Sequence, residues 1–200
     1  VYDATRDQIL VSTATDAALP ANAVVALDAA DLSVQWSVPV GFNPRRLALS
    51  DDDTKLFVGV DGSASVARVD LASQTVDLAF SLGNGSFGPR YAEDLAVIPG
   101  NPDLVAVSLA RWGVSPRHDG VALFDNGVAR PDVTDDHTGA NVIEAASATT
   151  LYGYTNETSG FRFRTIDVTA DGLTETSAVV TPIAGFGVDI AYDSGVIVDS

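Results

Sequence analysis

A short β-type run that ends in aspartate recurs four times along the chain, and no other feature of the sequence constrains the fold as strongly. The four copies end at Asp28, Asp70, Asp125 and Asp167, so that successive aspartates lie 42, 55 and 42 residues apart. The middle interval is one period with 13 residues added. A period in this range indicates a repeat protein in which each unit has the same local fold.

Each repeat contains further short apolar runs that are separated by turn-forming residues. In the second unit the four runs cover roughly 46–50, 55–60, 65–70 and 76–81. The connectors between them are turn formers or are too short for a helix. No window keeps apolar residues at a helical spacing over three turns. Four strands in a period of about 40–45 residues are typical of a β-propeller blade.

The repeats therefore predict an all-β chain, a β-propeller of four-stranded antiparallel blades. We expect about four and a half blades, covering approximately 1–41, 42–83, 84–139, 140–185 and, in part, 186–200. The residues 1–3 are interpreted as the end of an innermost strand. Because propellers close with whole blades, we expect the chain to be one truncated propeller domain from a larger, seven-bladed ring.

The composition agrees with strands and turns and excludes several classes of protein. Aspartate occurs 23 times and glutamate 4 times, and aspartate favours turns. Hydrophobic residues make up 46%, which excludes a disordered acidic tail. The net charge of −16 disfavours nucleic-acid partners, and no apolar run approaches the ~20 residues needed for membrane insertion. The absence of cysteine excludes disulfides, thiolate metal sites and cysteine catalysis.

The second unit resembles the YVTN-type propeller repeat. The resemblance rests on the residues 41–44 before the first run, the runs 56–60 and 66–70, and the closing Gly83. The residues 51–53 replace the usual turn of that repeat, and 56–60 replaces the YVTN sequence itself. The resemblance implies a bacterial or archaeal protein that is extracellular, on the cell surface or periplasmic. It carries over no catalytic residue, because the repeat motif is structural.

Other propeller families fit less well. The WD40 repeat needs a Trp-Asp pair, whereas Trp36 is followed by Ser37 and Trp112 by Gly113. The Kelch repeat needs a Gly-Gly pair, and integrin-type blades need an Asp-x-Asp-x-Asp-Gly loop; neither occurs.

The added residues of the third unit point to a candidate site. In a meander, the loop between the second and third strands lies on the same face as the connectors between blades, and the extra residues fall in such a loop at 110–120. The residues expected on this face are Arg90, Tyr91, Arg111, Trp112, Arg117, His118, Asp119, Asp136 and His137. Long loops on a rigid scaffold commonly bind ligands. The alternative is that Trp112 and Pro116 only pack the loop onto its blade. A metal site at the two histidines lacks persuasive ligand spacing.

Three further patterns have structural interpretations. The aspartates at 51–53 could attract calcium, but their position matches a solvent-exposed turn of the repeat. The four strand-end aspartates are expected to cap turns by accepting backbone hydrogen bonds. The aromatic residues of the fourth unit, which are Tyr152, Tyr154, Phe161 and Phe163, are expected to pack between blades, the alternative being a platform on which carbohydrate stacks.

The expected function is a non-catalytic recognition or assembly scaffold of a larger secreted or cell-surface prokaryotic protein, with no cofactor, metal or catalytic residue. Its expected partners are a protein or carbohydrate ligand and the missing blades of the ring. The alternative is a propeller enzyme, such as a sugar-lactone hydrolase or a quinoprotein-like dehydrogenase, because fold alone does not decide function. An enzyme would need convergent carboxylates in the channel, and only Glu93, Asp94, Glu144 and Asp189 are expected to reach it or its mouth.

Overall fold

Four antiparallel sheets of four strands follow one another along the chain, and a two-stranded sheet comes after them. We call these sheets blades 1 to 5. The computed structural model describes residues 1–15, 18–135, 139–180, 185–193 and 196–199. Within each blade the strands pair in chain order. The first strands of blades 2 to 5 contact one another in series, so they lie innermost.

The strand bounds follow the repeat. Blade 1 contains β1 (Tyr2–Asp3), β2 (Gln8–Thr13), β3 (Ala23–Asp28) and β4 (Val34–Pro39). Blade 2 contains β5 (Pro44–Leu49), β6 (Lys55–Val60), β7 (Ser65–Asp70) and β8 (Thr75–Ser81), with a 3₁₀ turn at Asp61–Ser63. A small hairpin, β9 (Asn84–Gly85) and β10 (Gly88–Pro89), precedes the next blade.

The remaining strands repeat the pattern with a shorter outer strand in blade 3. Blade 3 contains β11 (Tyr91–Val97), β12 (Leu104–Ala110), β13 (His118–Asp125) and β14 (Val128–Ala129). Blade 4 contains β15 (Val142–Ser147), β16 (Thr150–Tyr154), β17 (Arg162–Val168) and β18 (Leu173–Val180). Blade 5 contains β19 (Ile190–Asp193) and β20 (Val196–Asp199). The predicted all-β class with four-stranded antiparallel blades is confirmed. No helix among the described residues is long and apolar enough to cross a membrane.

The core lies between the blades and not within any one of them. Phe57 of blade 2 and Phe124 of blade 3 belong to one buried cluster, and Leu123 of blade 3 and Leu151 of blade 4 belong to another. Every residue of β12 is buried, because both faces of this strand pack against other blades. Its sequence therefore reads as an apolar run, with Ser108 as its one polar residue, and not as an alternation of apolar and polar residues.

The turn at 51–53 joins three blades. The Asp53 carboxylate accepts hydrogen bonds from the Thr5 amide (3.0 Å) and hydroxyl (2.7 Å) of blade 1. The Asp51 carboxylate accepts one from the Gly100 amide (2.9 Å) of blade 3. Asp52 accepts hydrogen bonds within the turn itself. The sequence correctly predicted a surface turn and missed its links to the neighbouring blades.

The expected turn caps are present at two of the four strand-end aspartates. The carboxylates of Asp28 and Asp70 accept hydrogen bonds from backbone N–H groups of the turns that follow them. Asp125 instead pairs with Arg130 (2.9 Å), and a threonine hydroxyl caps the turn after Asp167. The capping prediction was therefore wrong for the third and fourth copies.

The aromatic residues of the fourth unit pack as predicted. The buried Tyr154 belongs to an apolar cluster against which Tyr152, Phe161 and Phe163 also pack. The rings of Tyr152 and Phe163 are 5.2 Å apart, and Tyr152 reaches Tyr192 of blade 5 at 5.8 Å. These contacts join blades 4 and 5.

Arg68, on β7, links blades 2 and 3 through polar contacts, as the apolar clusters do through packing. It is 8% exposed, and its Nε and Nη2 atoms donate to the two oxygens of Asp77 at 3.0 and 3.1 Å. Its Nη1 atom crosses to blade 3 and donates to Asp103 (2.6 Å) and Asn126 (2.9 Å). One buried guanidinium thus ties two blades together.

Replacing Arg68 by alanine is expected to lower the free energy of unfolding by about 2–4 kcal/mol, because it leaves three acceptors without their donor and opens space between blades. Urea denaturation measures this loss. Arg162→Ala removes an exposed arginine of blade 4 and is the matched control, with an expected change within about 0.5 kcal/mol. Equal effects of the two substitutions would contradict this role of Arg68.

Candidate functional site

The connectors between blades and the loops between second and third strands lie on one face of the described structure, which we call the mouth face. This follows from the chain-order pairing, because strand direction alternates across each antiparallel blade. The connectors involved are 40–43, 82–90 and 185–189, and the loops include 111–117 and 155–161.

Two neighbouring depressions open on this face. The first, the arginine groove, has a volume of about 240 Å³, and its lining includes Arg45, Arg46, Tyr91, Glu93, Trp112 and Arg117. The second, the carboxylate cleft, has a volume of about 410 Å³, and its lining includes Glu93, Asp94, Asn156, Glu157, Phe186 and Asp189. Arg46, Glu93 and Arg117 border both depressions. Together they draw on blades 2, 3 and 4 and on the connector before blade 5.

Two β-bulges place charged residues at these depressions. The pairing of β5 with β6 shifts between Pro44 and Leu47, which puts Arg45 and Arg46 in the bulge. The pairing of β11 with β12 shifts across Glu93. A bulge redirects a side chain and is often found beside a functional site. These irregularities lie at the mouth ends of the innermost strands of blades 2 and 3.

Arg117 joins blade 3 to blade 4 at the boundary of the two depressions. Its guanidinium contacts the Glu93 carboxylate at 2.6 and 2.9 Å and the Glu157 carboxylate at 3.1 Å. The other Glu157 oxygen accepts a hydrogen bond from the backbone N–H of His118 (3.0 Å). Burial raises the pKa of Glu157. The network holds the loops of blades 3 and 4 in place.

Asp94 is the most perturbed carboxyl group of the site. Burial raises its pKa to about 7, although its Oδ2 atom accepts a hydrogen bond from the Ile143 amide at 2.9 Å. The charge of Arg46 lowers the pKa and that of Asp189 raises it, both less strongly. A carboxyl group with such a pKa in a cleft is a functional candidate, because its ionised form costs stability in the folded protein.

Four of the sequence-predicted residues do not line the groove, and two of them, Arg90 and Asp119, line a separate depression. His118, Asp119 and Arg111 are buried, and Arg90 is half-buried. The Asp119 carboxylate accepts from Arg90 Nε (2.6 Å), and Arg111 Nη2 donates to the His118 carbonyl (3.0 Å). The sequence analysis placed His118, Asp119 and Arg111 on this face but did not show that they are buried, which follows because the second strand pair of blade 3 extends as far as His118.

The His118 ring is fully buried, and neither of its nitrogens has a hydrogen-bond partner in the described part of the chain. Burial lowers its pKa to about 4, so the ring is neutral near pH 7. Asp136 and His137, the other candidates for a metal site, lie outside the described residues. Among the residues that are described, no three histidine, aspartate or glutamate side chains are grouped so as to hold a metal ion.

Exposed aromatic side chains lie on the mouth face, and two of them, Trp112 and Phe186, line the two depressions. Phe42, Phe87, Trp112 and Phe186 are between 48% and 69% exposed, and all four lie in connectors or loops of the mouth face. The ring of Trp112 packs against that of Tyr91 in a T-shaped arrangement, with 5.6 Å between ring centroids. This contact fits both alternatives of the sequence analysis, a ligand-binding loop and a loop that only packs onto its blade. The sequence analysis found Trp112 and Tyr91 and missed the three phenylalanines.

A signal for those phenylalanines is present in the sequence. Each stands beside glycine in a connector, as in Gly41-Phe42, Phe87-Gly88 and Gly185-Phe186. A large apolar residue in a glycine-flanked turn has few neighbours of its own blade to pack against.

No protein-family model matches the chain, and no curated protein matches it either. Solved structures do match. Cps50 (Swd1) of Myceliophteria thermophila, a β-propeller domain, has a TM-score of 0.70 at 16% identity, over 98% of this chain and 58% of that one. The fold is a β-propeller. U3-55K has a TM-score of 0.64 at 12% identity, over 90% of this chain and 52% of that one. Hydrazine synthase of Kuenenia stuttgartiensis gives 0.63 at 16% identity, over 94% of this chain and 52% of that one. The chain spans a little over half the length of each of these three chains.

Replacing Asp94 by asparagine is expected to stabilise the propeller at high pH. The pKa of Asp94 is raised in the folded state, so stability falls as pH rises from the unfolded value of about 4 to about 7 and is lowest above that range. The variant should gain about 2–4 kcal/mol at pH 8 and little at pH 4, as measured by urea unfolding. Asp171→Asn, at an exposed turn, is the control. A gain in stability that does not depend on pH would contradict the raised pKa of Asp94 in the folded protein.

Proposed function

We propose that the protein is a non-catalytic recognition scaffold that binds a partner protein on its mouth face. The observation that carries this proposal is the position of Phe42, Phe87, Trp112 and Phe186, which are exposed together on that face. Exposed apolar side chains grouped in this way mark interaction surfaces. Tryptophan, tyrosine and arginine, which line the arginine groove, are the residues that dominate binding energy at protein interfaces.

We also propose a setting for this scaffold. The resemblance of the residues 41–44 and 56–60 to the YVTN-type repeat supports a place in a larger prokaryotic protein that is secreted or on the cell surface. Further blades of the same ring would then be structural partners of this chain. The net charge of −16 fits a soluble exterior in that setting.

The enzyme alternative has one observation in its favour. Glu93, Asp94 and Asp189 line one cleft, and the pKa of Asp94 lies in the range of a general base. Glu144 lines a different depression, at the other end of the innermost strands. A sugar-lactone hydrolase or quinoprotein-like dehydrogenase would use the cleft for chemistry and would not need an exposed aromatic rim, so recognition is the better proposal.

Site-specific photo-crosslinking tests the recognition proposal. A photoreactive residue is placed at Phe87 or Phe186 on the mouth face, or at Leu32, which is 60% exposed in a turn of the opposite face. Both mouth positions are expected to capture the same partner, and the Leu32 position is not. With that partner purified, the double variant Phe87→Ser and Phe186→Ser should weaken binding at least about tenfold. Leu32→Ser should leave binding unchanged. Capture through Leu32 alone would overturn the proposal.

A further inference from the structure

Arginine is concentrated on the mouth face of a strongly acidic protein. The chain has 11 lysine and arginine residues against 27 aspartate and glutamate residues. Five of the 11 lie on this face: Arg45, Arg46, Arg90, Arg111 and Arg117. With so many carboxylates available, each guanidinium is expected to have an acidic partner, so an arginine that has none is informative.

Arg46 is that arginine. It is exposed, it lies in the bulge of β5, and it makes no hydrogen bond or ion pair with the residues that the structure describes. Its neighbour Arg45 contacts Asp61, whose side chain is 9% exposed, at 3.3 Å, and its guanidinium carbon lies 5.6 Å from the centroid of the Trp112 ring. Arg46 is thus available to bind an anion in the arginine groove, and Arg45, which already contacts Asp61 and Trp112, lies beside it.

The groove provides no internal anion for them. Its carboxylate, Glu93, is held by Arg117 at 2.6 and 2.9 Å. In the neighbouring carboxylate cleft, three of the carboxylates have partners within the protein. Glu93 and Glu157 are paired with Arg117, and Asp94 accepts a backbone hydrogen bond. The groove therefore contributes an arginine, Arg46, that no carboxylate in the groove lining pairs with. The cleft, in contrast, contains an exposed carboxylate, Asp189, that makes no ion pair with the described residues.

We propose that the arginine groove binds an acidic segment of the partner protein. This inference rests on the proposed function and specifies which part of the partner is recognised. An aspartate or glutamate carboxylate of the segment pairs with Arg46 and Arg45, since a guanidinium presents two parallel donors to a carboxylate. An apolar side chain next to that carboxylate packs against Trp112. The groove is a local positive site on a surface of net charge −16, so an acidic segment is drawn there and repelled elsewhere.

The aromatic contacts favour a protein segment over a carbohydrate acid. The guanidinium carbon of Arg45 lies 5.6 Å from the centroid of the Trp112 ring, and the edge of this ring meets Tyr91. A sugar ring would need an open indole face, which Arg45 partly covers. Arg111 covers Phe87 in the same way at 5.5 Å.

The two indole N–H signals of the protein provide the test. Trp112 borders the groove, whereas Trp36 lies on the outer strand of blade 1 and donates to Gln8 at 3.0 Å, which makes it an internal control. The probes are three synthetic peptides, acetyl-Gly-Glu-Leu-Glu-Gly-amide and its glutamine and lysine counterparts. The glutamate peptide is expected to shift the Trp112 signal in a saturable way below about 10 mM, with Trp36 unchanged. The other two peptides should give at least about fivefold weaker binding.

Two charge-matched variants complete the test. Arg46→Gln should weaken binding of the glutamate peptide at least about fivefold, whereas Arg162→Gln, at an exposed arginine that begins β17, should not. Equal binding of the glutamine peptide, tighter binding of the lysine peptide, no shift with any peptide, or full affinity in Arg46→Gln would each overturn the inference. If one of these four results is found while a partner is still captured at Phe87 and Phe186, the inference about the groove fails and the recognition proposal is retained. Loss of that capture would overturn the recognition proposal itself.

Discussion

Blades 2, 3 and 4 of this protein each bury both faces of their sheet on the blades beside them, and the rest of the structure depends on that constraint. It explains why β12 is buried along its whole length and why the apolar clusters join residues of two blades. Polar contacts also join neighbouring blades, because Arg68 and the turn at 51–53 make hydrogen bonds across blade boundaries. A stack held in this way fixes the strands and leaves the loops at the mouth free to vary.

The meander then places the variable segments together. Inter-blade connectors and the loops between second and third strands share one face, and the bulges of β5 and β11 direct Arg45, Arg46 and Glu93 to it. Features that do not serve stability accumulate there, including exposed phenylalanines and the carboxyl group of Asp94, with its pKa near 7. Binding sites commonly retain such destabilising groups, because selection preserves them for function.

The sequence analysis succeeded where structure is local and failed where it depends on distant residues. The runs 55–60 and 65–70 match β6 and β7, because alternating strands and aspartate turns are encoded within one repeat. Burial of His118 and the free guanidinium of Arg46 depend on a bulge and on packing between blades, neither of which a repeat pattern shows. Arg46 escaped notice because, next to Arg45 in a strand, it reads as an ordinary solvated charge.

Recognition through the mouth face is the central claim, and backbone amide hydrogen exchange with and without the purified partner tests it most directly. The account predicts slower exchange on binding in the connectors at 40–46 and 84–93 and in the loop at 111–117, with no change in the turns of the opposite face at 28–33, 50–55 and 70–75. Slower exchange confined to those opposite turns, or to the outer strands β4 and β8, would contradict it.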